Sequence, residues 1–369
     1  MSSPPVLRGP AVTDAAVPTS LRMPPMSMGR SGHPAAIGTT HRVSPARLAN
    51  GCVRQPVRLR GGNASAAGGV GHPAVVGPPC HSEATWAAAT QVRSRADAAP
   101  ARTRPEGPPM FRTTDVGAPI WLDLGTPDTE AAAAFYRRLF GWRLQSAGPD
   151  AGGYGFFMLD GRMVGAIGPL TEQGATSAWT VYFRTADADA TAGAVVQAGG
   201  EVRVGPLDVF DQGRMAALTD SAGARFGVWQ PKRNTGLEVV GEPGALAWTE
   251  LYTPDAGKAG EFYRSVFGWR VDDASMPGVT YAVVSAADAG PDGGHGGIMQ
   301  LSRENLDAGS GPEWHPYVEV ADCDAVFATA TANGATELVA PVSAPRIGRL
   351  AMFLDPFGAQ LAVITSESS

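Results

Sequence analysis

The side chains of this chain that could do chemistry fall at alternate positions of short, largely apolar stretches. Trp248, Glu250 and Tyr252 alternate in one stretch, and His315, Tyr317 and Glu319 in another. Such alternation marks strands whose two faces differ, so each trio shares a face. A carboxylate and an imidazole brought together make a candidate general base, here Glu250 and His315. With Glu319 the same two side chains could instead hold a metal, or His315 could serve structure or substrate contact alone. Earlier in the chain the same parity groups Trp121 with Asp123, Thr180 with Tyr182 and Arg184, and Arg225 with Gly227 and Trp229. Paired aromatics with a few polar groups suit a planar organic ligand. The competing reading is an Asp123–Arg225 ion pair with the tryptophans closing a core. Gln360 and Ala362 occupy the matching face of the last strand.

The elements that must position these residues come in two copies. Trp121–Trp142 (WLDLGTPDTEAAAAFYRRLFGW) laid over Trp248–Trp269 (WTELYTPDAGKAGEFYRSVFGW) gives 12 identities in 22 positions at an offset of 127. Further on the offset is 135, pairing Trp179 with Trp314, Asp220 with Asp355, and Gly213-Arg214 with Gly348-Arg349. The extra eight residues predict a loop insertion at the Gly-rich stretch Asp288–Gly297, with His295 in a surface loop or a lid. Each copy reads as strand, helix and strands, twice over. Thr126-Pro127-Asp128 opens a helix, with Thr126 as N-cap, and Gly141 closes it. Phe135-Tyr136 and Phe262-Tyr263 sit at helical core spacing and read as packing residues. Arg214 and Arg349 read as binders of an anionic substrate, or as partners of their turns and of Asp220 and Asp355.

Composition divides the chain at about residue 110. Residues 1–109 hold 12 arginines, no lysine, 4 acidic residues and 16 of the 31 prolines, a net charge of +8. The remainder has 17 basic and 31 acidic residues, net −14, within a whole-chain charge of −6. The first part lacks the apolar surface to offset its ordering entropy and is predicted to be a disordered extension. A start at Met110 or a targeting segment are two readings of it. The acidic remainder argues against a nucleic-acid interface. Cys52, Cys80 and Cys323 form no C-x-x-C pair, which fits a cytoplasmic protein without a disulfide framework. No apolar run is long enough to cross a membrane as a helix.

A strand, then Pro-Asp and a helix bearing Phe-Tyr and Phe-Gly-Trp, then a late strand after an Asp-x-x-Gly turn, resembles the vicinal oxygen chelate superfamily. That group includes glyoxalase I, bleomycin-resistance proteins and extradiol dioxygenases. The resemblance covers about 110–365, and is nearest to two-domain actinobacterial antigen-like proteins called glyoxalase-like or hydrolase. It implies an α+β fold of two tandem domains, 110–235 and 236–369, each a pair of βαβββ units forming a cupped mixed sheet. It further implies a divalent metal in the cup, acting as a Lewis acid. The family's ligand positions fall on Trp121, Thr180 and Gly227 in the first copy, and on Trp248, His315 and Ala362 in the second. Only His315 suits such a metal, so the expectation is a cup without metal or other cofactor. The small residues Gly227 and Ala362 are expected to leave room there. The first cup would hold Trp121, Asp123, Tyr182, Arg184, Arg225 and Trp229; the second, Trp248, Glu250, Tyr252, His315, Tyr317, Glu319 and Gln360. The function expected is binding of a small aromatic or anionic molecule. The alternatives are a glyoxalase-, lyase- or hydrolase-type enzyme using Glu250 and His315, and a structural or partner-binding protein with vestigial cups. The copies are expected to pair within one chain, giving a monomer, or to form a homodimer.

Overall fold

The structure, a computed structural model, describes residues 111–367 apart from 171–174, 277, 291–292, 308 and 345–346. The reading of 1–109 as a disordered extension lies outside the described residues. The first copy runs β1 (Pro119–Thr126), α1 (Thr129–Phe140), β2 (Arg143–Ser146), β3 (Gly155–Leu159) and β4 (Arg162–Pro169). It continues with β5 (Ala178–Arg184), α2 (Ala188–Gln197), β6 (Glu201–Val209), β7 (Gly213–Thr219) and β8 (Arg225–Pro231). The second runs β9 (Leu246–Thr253), α3 (Ala256–Phe267), β10 (Arg270–Asp273), β11 (Tyr281–Ser285) and β12 (Gly294–Gln300). A short α4 (Arg303–Asp307) precedes β13 (Glu313–Glu319), α5 (Cys323–Ala332), β14 (Thr336–Ala344), β15 (Gly348–Leu354) and β16 (Gln360–Ser366). Each copy is therefore two βαβββ units.

Each copy closes into one eight-stranded mixed sheet, in the orders β2-β3-β4-β1-β5-β8-β7-β6 and β10-β11-β12-β9-β13-β16-β15-β14. The first strands of the two units lie side by side and antiparallel at the centre, with Asp123 opposite Thr180 and Glu250 opposite His315. Parity then works as the sequence predicts. Leu122, Leu124, Val181 and Phe183 face a shared core and are fully or almost fully buried.

Helices α1, α2, α3 and α5 begin at Asp128, Asp187, Asp255 and Asp322, whose carboxylates accept an N–H three residues on. The N-cap is thus Asp128 and not Thr126, because Thr126 is still the last residue of β1. Gly141 and Gly268 close α1 and α3 in the left-handed conformation, as glycine does without steric cost.

The eight extra residues of the second copy are split. Ala166 opposes Asp123 as Gly297 opposes Glu250, so four residues enter the β11–β12 hairpin. Four more enter before β13, in the connection that forms α4. The Gly-rich stretch is not a loop over a pocket: Gly294–Gly297 belong to the inner strand β12, and His295 is wholly buried. The residues there are glycines because the neighbours come close. A Cβ at Gly296 would meet the Thr249 carbonyl oxygen at 2.6 Å, and one at Gly297 would meet the Tyr281 hydroxyl at 1.9 Å.

The two copies lock together by bonds made twice. Trp179 Nε1 donates to the Tyr136 hydroxyl (3.1 Å), which donates to Asp355 Oδ2 of the other copy (2.9 Å). Trp314 Nε1 donates to Tyr263 (2.8 Å), which donates to Asp220 Oδ2 (3.2 Å). Trp142 Nε1 reaches the Gly244 carbonyl at 2.7 Å and Trp269 Nε1 the Gly117 carbonyl at 3.0 Å. The tyrosines, expected only to pack, are the polar joint between the copies.

Candidate functional site

The second sheet gathers its chemistry on β9, β11 and β13. Tyr317 Oη donates to Glu250 Oε2 at 2.5 Å, and the Tyr252 and Tyr317 hydroxyls lie 3.3 Å apart. Trp248 Nε1 donates to the Tyr281 hydroxyl at 3.2 Å. The Glu250 charge also acts on Tyr281. Its hydroxyl reaches across the neighbouring strand only because Gly297 has no side chain to obstruct it. Glu250 is 8% exposed and His315 2%. His315 packs beside Tyr252, ring centroids 4.6 Å apart.

Burial, and after it the Glu250 charge, pushes the phenols of Tyr252, Tyr281 and Tyr317 well above the ordinary tyrosine range. They stay protonated, and Tyr317 donates to the carboxylate. Burial alone brings the His315 imidazole down from its ordinary range to about 3, so it is neutral at physiological pH. Glu250 and His315 stand opposite each other in the register, but the Glu250 carboxylate accepts its hydrogen bond from Tyr317. The site is a carboxylate among hydroxyl donors, with an uncharged imidazole beside it.

The first sheet repeats the arrangement with Trp121, Asp123, Tyr154 and Tyr182 at the matching positions. Burial raises Tyr154 most; the Asp123 charge and then Tyr182 add to it. A Cβ at Gly227 would meet the Tyr182 ring at 2.2 Å, so Tyr182 fills the room expected beside Gly227. Trp121 packs edge-on against Phe156, and Trp229 Nε1 donates to the Asn234 carbonyl at 2.9 Å. Arg184 is half-buried at the end of β5. Arg225 is exposed and its charge acts on Glu313 of the second copy.

Other predicted residues have structural partners. Glu319 accepts from the Ser366 amide (3.0 Å) and hydroxyl (2.6 Å), fastening β16. Gln360 is buried with its amide donating to Met352 Sδ. Arg214 forks onto Asp189 (2.7 and 2.9 Å), and Arg349 likewise onto Asp324. Each arginine pins the first turn of the last helix of its own copy, α2 or α5, instead of pairing with Asp220 or Asp355. Those aspartates hold their own turns through the amides of Ala222 and Ala224, and of Phe357 and Ala359. Tyr154 and Tyr281 escaped sequence reasoning although the 127-residue offset pairs them, because the face of a hairpin strand depends on a register the sequence does not mark.

The residues at the family's ligand positions do not make a chelate. The first cup offers an indole, a threonine and a glycine whose Cβ space Tyr182 occupies. The second offers an indole, His315 and an alanine. Among the described residues no three His, Cys, Asp or Glu side chains are grouped to hold a metal ion.

The Glyoxalase/Bleomycin resistance protein/Dioxygenase superfamily model matches residues 119–228 and again 245–363. The chain is 41% identical over 264 residues to the anthracycline biosynthesis protein DauV of Streptomyces sp. (strain C5), covering 67% of this chain and 93% of the relative. It is 37% identical over 254 residues to "Putative glyoxylase CFP32" of Mycobacterium tuberculosis (strain CDC 1551 / Oshkosh), covering 67% and 94%. Its fold is similar to that of the 2,3-dioxygenase LapB from Pseudomonas sp. KL28, with a TM-score of 0.50 at 14% identity over 70% of this chain and 94% of that one.

Proposed function

The chain belongs to the Glyoxalase/Bleomycin resistance protein/Dioxygenase superfamily, and from that premise we propose that it binds a small aromatic molecule in its second cup without a metal. The observation that carries this reading is the set of rings around Glu250. Trp248, Tyr252, Tyr281 and Tyr317 share the face where the family's chemistry would sit: Tyr317 donates to Glu250, Tyr252 pairs with Tyr317, Trp248 donates to Tyr281, and the Glu250 charge acts on all three phenols. Aromatic walls with a few oriented polar groups are what a planar organic ligand needs. The DauV relative, named for anthracycline biosynthesis, suggests a polycyclic ligand class. Isothermal titration of the chain with an anthracycline should saturate, and Trp248→Leu should weaken binding about tenfold, the loss of roughly 1.4 kcal/mol expected for a lost ring contact. Absence of saturation, or an unchanged affinity in Trp248→Leu and Tyr317→Phe, would sink the reading.

A second reading draws on the 2.5 Å Tyr317–Glu250 hydrogen bond. In it the pair passes a proton to and from a bound substrate, Glu250 accepting and Tyr317 donating, as in a glyoxalase-, lyase- or hydrolase-type reaction. His315, neutral, would orient the substrate by a hydrogen bond and not carry its charge. Turnover lost in Glu250→Gln with ligand affinity retained would favour this reading over binding alone.

A further inference from the structure

We propose that the second cup is built for an organic cation, an amine carried on an aromatic body, with Glu250 as the counter-ion. The inference deepens the binding reading above and rests on it. Glu250 is buried, yet no lysine or arginine among the described residues forms an ion pair with it. Its hydrogen-bond partner is the Tyr317 hydroxyl at 2.5 Å, and the Tyr252 hydroxyl lies 3.3 Å from that of Tyr317. Hydroxyl donors lower the cost of burying a carboxylate but supply no positive charge. The imidazole beside it does not supply one either, since burial keeps His315 neutral.

The surroundings favour a cation on independent grounds. Trp248, Tyr252, Tyr281 and Tyr317 come from three strands of one sheet, and aromatic rings attract ammonium groups through their quadrupole. An anion would meet both the Glu250 charge and those rings unfavourably. The part of the chain from residue 110 onward carries a net charge of −14, which raises the local concentration of cations. The two arginines that could have drawn an anion, Arg214 and Arg349, are already held by Asp189 and Asp324.

The test compares two probes of nearly equal shape on the full chain by calorimetry: naphthylmethylamine, a cation at neutral pH, and uncharged naphthalenemethanol. The amine should bind at least about tenfold more tightly, in keeping with a desolvated cation–π and charge contact. Glu250→Gln, close in shape and still able to accept the Tyr317 hydrogen bond, should cut that preference to about threefold or less, the part the rings supply. Trp248→Leu, at a half-buried position, should weaken the amine more than the alcohol and guards against a folding defect in the first variant. Equal affinities, or a preference unchanged in Glu250→Gln, overturn the cation assignment while leaving an aromatic pocket in place. Binding of neither probe overturns both readings.

Discussion

His295 occupies the place that a valine holds in the other copy. Val164 and His295 are equivalent in the two sheets, one residue before Gly165 and Gly296, and each is buried. The imidazole sits against Phe111, Phe183 and Trp269, and neither ring nitrogen has a hydrogen-bond partner. Burial brings its pKa down to about 3. The sign follows directly: the folded pKa lies below the unfolded one, so the unfolded chain takes up the proton first as pH falls below about 6.5. Stability is therefore full above that pH and declines towards pH 3. His295→Val should gain about 2 kcal/mol over the parent at pH 5 and change little at pH 7, because each tenfold rise in proton concentration below about pH 6.5 favours the unfolded parent by about 1.4 kcal/mol. Urea melts at the two pH values measure this, and equal pH slopes for parent and variant would refute it. Part of the slope should persist in the variant, because His315 is depressed to the same extent. Strand parity made Glu250, His315 and Tyr317 legible as neighbours. It could not show that Glu250 prefers phenols, since side-chain direction within a face follows from packing. Nor could it find His295, whose strand was hidden by glycines that read as a loop while serving close approach of the chain.

At the level of elements, the two copies use the same devices at matching places. An aspartate caps each of the four long helices, and an arginine from the neighbouring hairpin clasps Asp189 or Asp324 in the first turn of α2 and α5. Asp255→Ala should cost about 1 kcal/mol, the usual worth of an N-cap, read as a lowered melting midpoint with an unchanged ligand titration. A loss near zero would show that the Lys258 amide finds water as good a partner. Helix and strand existence was legible because the Thr-Pro-Asp entry and the Gly exit recur at a fixed offset. The cap itself was misplaced by two residues, since threonine and aspartate are both good caps and only the length of β1 chooses between them. The insertion was sized correctly but placed as one block. Four of its residues enter with α4, where nothing in Arg303–Asp307 announces a break from the first copy's shorter path.

Over the whole molecule, the joint between the copies decides stability. Asp220 and Asp355 are buried, and burial raises both carboxyls above their ordinary range. Tyr263→Phe removes one donor to Asp220 and should destabilise the whole described unit by about 1–3 kcal/mol, the cost of leaving a buried acceptor short of a partner. The loss should appear as a single cooperative transition; two separate transitions would mean that the copies fold independently. The Trp, Tyr and Asp of each joint were visible in the sequence as repeated residues. Their crossing from one copy to the other was not, because an offset relates equivalent positions and says nothing about which of them touch. The reciprocity has a further consequence. Tyr136 meets Asp355 while its equivalent Tyr263 meets Asp220, so position i of each half touches position j of the other. That is the rule of an isologous contact. A half-length ancestor bearing one such tyrosine and one such aspartate could make both bonds with an identical copy of itself. Fusion of two halves removes the requirement that both stay alike, and leaves the two cups free to differ, one with Asp123 and Thr180 where the other has Glu250 and His315.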